Sequence, residues 1–146
     1  MSPVLAYNSK AHFDYEIIKK FSAGLELLGH EVKSVRNGGA SLAGSYVSIR
    51  GKEAFLLGAN INPYQPKNIA GNYDPRRARK LLLSKAELLT LEKTEATKGL
   101  TIVPLSVYNK GRFLKLDLAI ARGKKKFDKR QAIKKRDMER EIKRKL

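Results

Sequence analysis

The sequence predicts a mainly β fold with helices: a small closed barrel of about six strands, one long helix and a basic C-terminal tail. Three observations carry this. Residues 13–27 alternate with period two, with Phe13, Tyr15, Ile17, Lys19, Phe21, Ala23, Leu25 and Leu27 at the odd positions and mostly polar or small residues between them. Leu114, Leu116, Leu118 and Ile120 repeat the alternation later in the chain. At Arg122 the composition changes: the last 25 residues hold thirteen Lys/Arg against four Asp/Glu, a net +9 of the chain's +17.

Residues 1–11 read as a loose arm. A straight strand over 13–27 would span about 50 Å, too long for a small domain. It is therefore expected to coil around a corner, with Gly24 as the bend, as a small Greek-key barrel requires. Residues 29–36 (GHEVKSVR) predict a short helix stopped by Asn37-Gly38-Gly39. Residues 46–50 and 54–61 predict two strands around a Gly51-Lys52 turn. Asn62-Pro63 opens a loop to Tyr73 that is expected to be mobile. Asp74-Pro75 supplies an N-cap and a first-turn proline, predicting a helix over 74–97 ended by Gly99. Its apolar stripe would be Ala78, Leu82, Ala86 and Leu89. Residues 100–108 and 112–121 predict a hairpin about Asn109-Lys110-Gly111, with Pro104 marking an edge or a bulge. The chain thus divides into a body, 1–121, and a tail, 122–146.

A pI near 10.2 points to nucleic acid or an anionic membrane surface. No apolar run approaches the roughly 20 residues of a spanning helix. The start MSPVLAYNSK lacks the pattern of a signal peptide, and the chain has no cysteine, so a cytoplasmic protein is expected. His12 and His30 are isolated, and no metal-ligand spacing, nucleophile–base pair or phosphate-binding glycine loop is present. Neither a cofactor nor catalysis is expected.

Four features could carry binding. Arg76, Arg77, Arg79 and Lys80 crowd the expected start of the long helix, where positive charge opposes the helix dipole. Phosphate binding is preferred there over a solvated basic face. Lys33 and Arg36 share a face of the short helix at i, i+3, and Glu31 reads as a helix-start carboxylate. Tyr7, Asn8, Ser9 and Lys10 suit stacking and hydrogen bonding to RNA, although a capped loop is the favoured reading. In the tail, Asp128 to Gln131 form a capping-box pattern, and Met138, Ile142 and Leu146 share one helical stripe. Arg122, Lys124, Lys125, Lys126, Lys129, Arg130, Lys134, Lys135 and Arg136 surround it with charge. Such a tail is expected to be disordered when free and helical on an anionic partner. Phe127 either stacks on a base or plugs the barrel where the tail departs.

The order of motifs closely resembles the SsrA-binding protein family, also called small protein B. The runs are NSKA, G-H-E-V-K-S-V-R, Y-V-S-I, G-A-N-I-N-P-Y, D-P-R-R-A-R-K-L-L-L and A-R-G-K-K-K-F-D-K-R. The resemblance spans the chain from Asn8. It implies a barrel of oligonucleotide-binding type, and a protein that binds the tRNA-like domain of transfer-messenger RNA and helps deliver it to stalled ribosomes. Its partners would be that RNA, the small-subunit decoding centre and mRNA channel of the ribosome, and indirectly the elongation factor that carries aminoacyl-tRNA. A monomer is expected. By position, Asn8 and Leu82 match family residues linked to RNA binding, and Glu31, Lys33, Arg36, Arg77, Arg79 and Lys80 lie in the matching runs. Leu82 also fits the apolar stripe. Many members have F-E-A-G where this chain has Phe21-Ser22-Ala23-Gly24, and His or Tyr where it has Phe127. The rival readings are a ribosomal protein and a general single-strand RNA-binding module.

Overall fold

The computed structural model describes residues 4–64 and 72–124, together with Arg136, Met138 and Arg140. Two long neighbours dominate: β8 (Leu100–Lys110) and β9 (Phe113–Gly123), joined by a tight turn. β9 also pairs along its length with β2 (Tyr15–Leu25). β1 (Val4–Tyr7) adds to the outer edge of β8. Beyond β2 follow β7 (Arg79–Leu82), β5 (Glu53–Leu57) and β4 (Tyr46–Arg50). The result is one seven-stranded antiparallel sheet in the order β1-β8-β9-β2-β7-β5-β4. β3 (Ala40–Ser41) and β6 (Asn60–Ile61) form a separate two-stranded ladder.

The mainly β prediction with helices therefore holds, and the closed barrel of about six strands is corrected. Among the described residues the ladder ends at β1 and β4, which do not pair with each other. The sheet curls instead, bringing β4 against β8. The concave side holds the main core, in which Leu56, Leu116 and Leu118 are almost fully buried.

The first helix, α1 (Ser9–Asp14), packs on the opposite side of β2 and β8. It closes a second, smaller core of Ala11, Val103, Leu105, Ala119 and Ala121. That second cover explains why residues 118–121 are buried without alternation, since both faces of β9 are covered there. From residue 4 on, the expected loose arm is thus a strand and a helical turn, recruited by the open edge of β8 and by apolar Ala11.

α2 (Gly29–Arg36) has the predicted bounds, and Gly38 beyond it takes the left-handed conformation at φ +81°. In the turn between β4 and β5, Gly51 and Lys52 both have positive φ, the requirement of a type I′ hairpin. The irregularity in β2 lies at Ile17–Lys19 rather than at Gly24. Gly24 serves another purpose: a Cβ there would meet the Leu82 Cβ at 3.2 Å. Pro104 does mark a bulge, with the register shifting between Pro104 and Ser106.

The expected helix over 74–97 is corrected. Asp74 and Pro75 begin a turn in which the Asp74 carboxylate accepts from the Arg76 N–H at 2.9 Å. Residues 79–82 then fill the sheet between β2 and β5. The helix, α3 (Lys85–Glu95), starts at Ser84, whose Oγ accepts from the Glu87 N–H at 3.2 Å while Glu87 Oε1 accepts from the Ser84 N–H at 3.0 Å. Its buried residues are Leu91 and Thr94, so the expected stripe pointed the wrong way, and Leu82 and Leu89 are exposed. Replacing Ser84 with Ala should cost about 1 kcal/mol of unfolding free energy, measured by urea titration.

Candidate nucleic-acid interface

α2 meets the turn before β7 through one carboxylate. Glu31 is fully buried, and its Oε1 accepts from the Leu28 N–H at 2.8 Å, the glutamate half of a capping box. Arg77 grips it with two donors: Nη2 makes a short contact to Oε1, and Nε lies 3.1 Å from Oε2. Arg79, also fully buried, gives Nη2 and Nε to Oε2 at 2.5 and 3.1 Å. The rest of the Arg79 guanidinium is spent on carbonyls, with Nη1 donating to Ala59 O at 2.9 Å and Pro75 O at 2.8 Å. The Tyr73 hydroxyl lies 3.0 Å from both Glu31 Oε2 and Ile61 O, and accepts from Arg79 Nη2 at 3.0 Å.

Burial alone would raise the Glu31 pKa. The hydrogen bonds from Arg77, Leu28 and Arg79, with the Arg79 charge, outweigh it and hold the carboxyl at about 2 against an ordinary 4.5. Burial and the hydrogen bond to Glu31 raise the Tyr73 pKa.

This network corrects two expected RNA contacts. Glu31 and Arg79 have no surface to offer, because each satisfies the other in the interior. The helix-dipole argument for residues 76–80 falls as well, because they lie on a turn and the start of β7 rather than in a helix. Arg77 keeps 31% of its side chain exposed. Arg76 is exposed, and so are Lys33 and Arg36 on α2, as predicted. Lys33 Nζ lies 5.9 Å from the centroid of the Tyr64 ring, and Arg36 Nη2 donates to Arg112 O at 3.0 Å. Among the described residues no carboxylate pairs with Lys33, Arg36 or Arg76. Lys80 meets Glu53 at 3.2 Å, an open pair worth about 0–1 kcal/mol.

Leu82 stands 53% exposed on β7, over Gly24 and beside a cleft of about 670 Å³ lined by Lys80, Leu82, Lys85, Leu88 and Leu89. Asn8 lies apart from this surface. Its Nδ2 donates to Pro104 O at 2.9 Å and its N–H to Leu105 O at 2.8 Å, so it pins the β8 bulge. Lys10 is exposed on α1. Ser22 Oγ shares a hydrogen bond of 2.6 Å with the Tyr108 hydroxyl, and Ser22 stands opposite Asp117 across the β2–β9 ladder.

At the start of the tail, Arg122 is exposed on β9. Lys124 is tied back, its N–H to Asp14 O at 2.8 Å and its Nζ to His12 O at 3.1 Å. Arg136 lies 5.7 Å over the Phe13 ring, and Met138 is 64% exposed; both are helical. The expectations for Lys125, Lys126, Phe127, Lys129, Arg130, Lys134, Lys135 and Ile142, and for the mobility of 65–71, fall outside the described residues. Among the described residues no group of three His, Asp or Glu is placed to hold a metal, and no helix is long and apolar enough to cross a membrane.

Sequence reasoning missed Tyr73, because a lone tyrosine in a turn has no periodicity to reveal it. It also missed Phe113, which the strand alternation could have shown to point outward.

The sequence model of a family described as "SmpB protein" matches residues 5–146. The SsrA-binding protein of Mesoplasma florum is 50% identical over 142 residues, covering 97% of this chain and 95% of that one. Its counterpart in Carboxydothermus hydrogenoformans is 44% identical over 146 residues, covering 100% and 97%. A solved chain from a structure described as "tmRNA-SmpB: a journey to the center of the bacterial ribosome" superposes with a TM-score of 0.66 at 41% identity, covering 87% of this chain and 92% of that one.

A buried pair left with one partner costs about 3–5 kcal/mol. Glu31→Gln should lose that much unfolding free energy in urea. In the wild type, the stability due to Glu31 is fully present above about pH 4.5 and should fall away as the pH drops toward 2.

Proposed function

Because the chain belongs to the SmpB protein family, we propose that it binds the tRNA-like domain of transfer-messenger RNA and brings it to stalled ribosomes for trans-translation. The observation that carries this is the match along residues 5–146, joined to a surface on which Lys33, Arg36 and Arg76 lack carboxylate partners among the described residues. Lys33 and Arg36 on α2, Arg76 and Arg77 on the adjoining turn, and Lys80 with Leu82 on β7 form the RNA-facing surface. The cations meet phosphates, and Leu82 with its cleft takes apolar contact, so the RNA is read by shape and charge. Asn8 and Lys10 add a contact at the β1–α1 junction. Glu31 and Arg79 act from inside, holding α2 and the turn in register.

The strongly curled sheet is of oligonucleotide-binding type, its ladder left open at β1 and β4. The basic tail, including Lys125 to Arg130, Lys134 to Arg136, Met138 and Ile142, occupies the mRNA channel near the small-subunit decoding centre. It docks there as a helix, and can do so only where message is absent. The protein works as a cytoplasmic monomer, by occupancy rather than catalysis. The elongation factor that carries aminoacyl-tRNA joins through the RNA.

Phosphate contacts release counterions, so the logarithm of the affinity for the tRNA-like domain should fall linearly with the logarithm of salt, with a slope of about −0.7 to −0.9 per phosphate contacted. Filter binding between low and moderate salt reads this, and a flat line would refute the phosphate contacts. Truncation after Lys124 keeps β9 and its bonds to α1. It should leave binding to the tRNA-like domain unchanged and abolish peptide tagging in a reconstituted translation reaction on truncated messages.

A further inference from the structure

The tip of the β8–β9 hairpin carries the most exposed large apolar side chain among the described residues, Phe113, at 72%. The backbone forces it outward. Lys110 and Phe113 close the hairpin as a cross-strand pair, and Gly111 takes the first turn position at φ +62°. Leu114 next to it is buried, so alternation leaves Phe113 facing solvent.

Its surroundings are cationic. Lys110 stands opposite Phe113 in the ladder, Arg112 and Lys115 lie one and two residues from it along the chain, and no Asp or Glu occurs from residue 107 to 116. Arg36 reaches the tip from α2 and donates to Arg112 O at 3.0 Å. That bond braces the turn and brings a fourth cation to it. An isolated apolar side chain on a surface is ordinary. An aromatic ring at the end of a braced hairpin whose tip carries four cations has the composition of a base-stacking site. One ring is too little apolar surface for a membrane, and a protein groove would call for a wider apolar patch.

We propose that Phe113 stacks on an unpaired nucleobase, with Lys110, Arg112 and Arg36 on the adjoining phosphates. This makes the hairpin tip a second RNA contact beyond the α2–β7 surface. The proposal rests on the protein being an RNA binder. The base can belong to the tRNA-like domain or to ribosomal RNA, and the test separates the two.

The chain has no tryptophan, so Phe113→Trp in the full-length protein places a single indole, excited selectively over the tyrosines, at the tip. The variant is titrated with tRNA-like-domain RNA and, separately, with empty ribosomal particles. Quenching of the introduced indole by the first assigns the base to the tRNA-like domain, and quenching by the second assigns it to ribosomal RNA; either supports the proposal. Phe113→Ala should weaken binding to the quenching partner on the order of 5- to 100-fold, while Phe113→Trp binds like wild type. Wild-type binding with no quenching by either partner, or a blue shift without quenching, overturns the stacking site and leaves the RNA-binding reading intact. Failure of the wild type to bind either partner overturns both.

Discussion

One buried carboxylate organises this molecule. A lone ionised glutamate in the interior would cost several kcal/mol, and Glu31 tolerates full burial only because two guanidiniums, a tyrosine hydroxyl and a backbone N–H meet its two oxygens. The partners come from separate parts of the chain. α2 supplies the carboxylate, the turn before β7 supplies Tyr73 and Arg77, and β7 supplies Arg79. Arg79 then reaches on to the carbonyls of Ala59 and Pro75. A short helix whose apolar packing rests on Val35, with Val32 beside it, is thereby fixed to the turn and strand as well. Such a network is a costly way to gain stability compared with apolar packing, but its directional bonds specify one arrangement.

That arrangement sorts the basic residues by purpose. Arg79 is wholly internal, and Arg77 is divided between the clamp and the surface. Lys33, Arg36 and Arg76 remain outside. With α2 and the turn locked together, the exposed cations hold a fixed spacing, which suits recognition of a folded RNA by its phosphates and shape. Leu82 belongs to the same division. It projects because β7 lies between two strands, and Gly24 leaves room for it.

Much of this was legible in the sequence. Period-two alternation located β2 and β9, and the bounds of α2 followed from its flanking glycines. Pro104 announced its bulge. Closure of the sheet was not legible, because which strands pair at the edges depends on long-range register that periodicity does not carry. Asp74-Pro75 opens a turn here because the same dipeptide starts turns as readily as helices, and the capping box at Ser84 and Glu87 is what starts the helix. The basic run at 76–80 looked uniform, yet alternation along β7 buries Arg79 and Leu81 while Lys80 and Leu82 face the other way. The exposure of Leu82, which the family resemblance suggested and the supposed helical stripe denied, follows from that strand. Burial of Glu31 could be read only once its partners, more than forty residues away, were in place.

The central claim is that the clamp is scaffold and the outer cations are the RNA surface. Comparing Arg79→Met with Lys33→Ala, in unfolding free energy and in the salt slope of binding to the tRNA-like domain, tests it most directly. The account predicts that Arg79→Met loses several kcal/mol of stability but, where folded, keeps the wild-type slope. Lys33→Ala should keep its stability and reduce the slope by about one. The reverse pattern, with a shallower slope for Arg79→Met and an unchanged slope for Lys33→Ala, would contradict it.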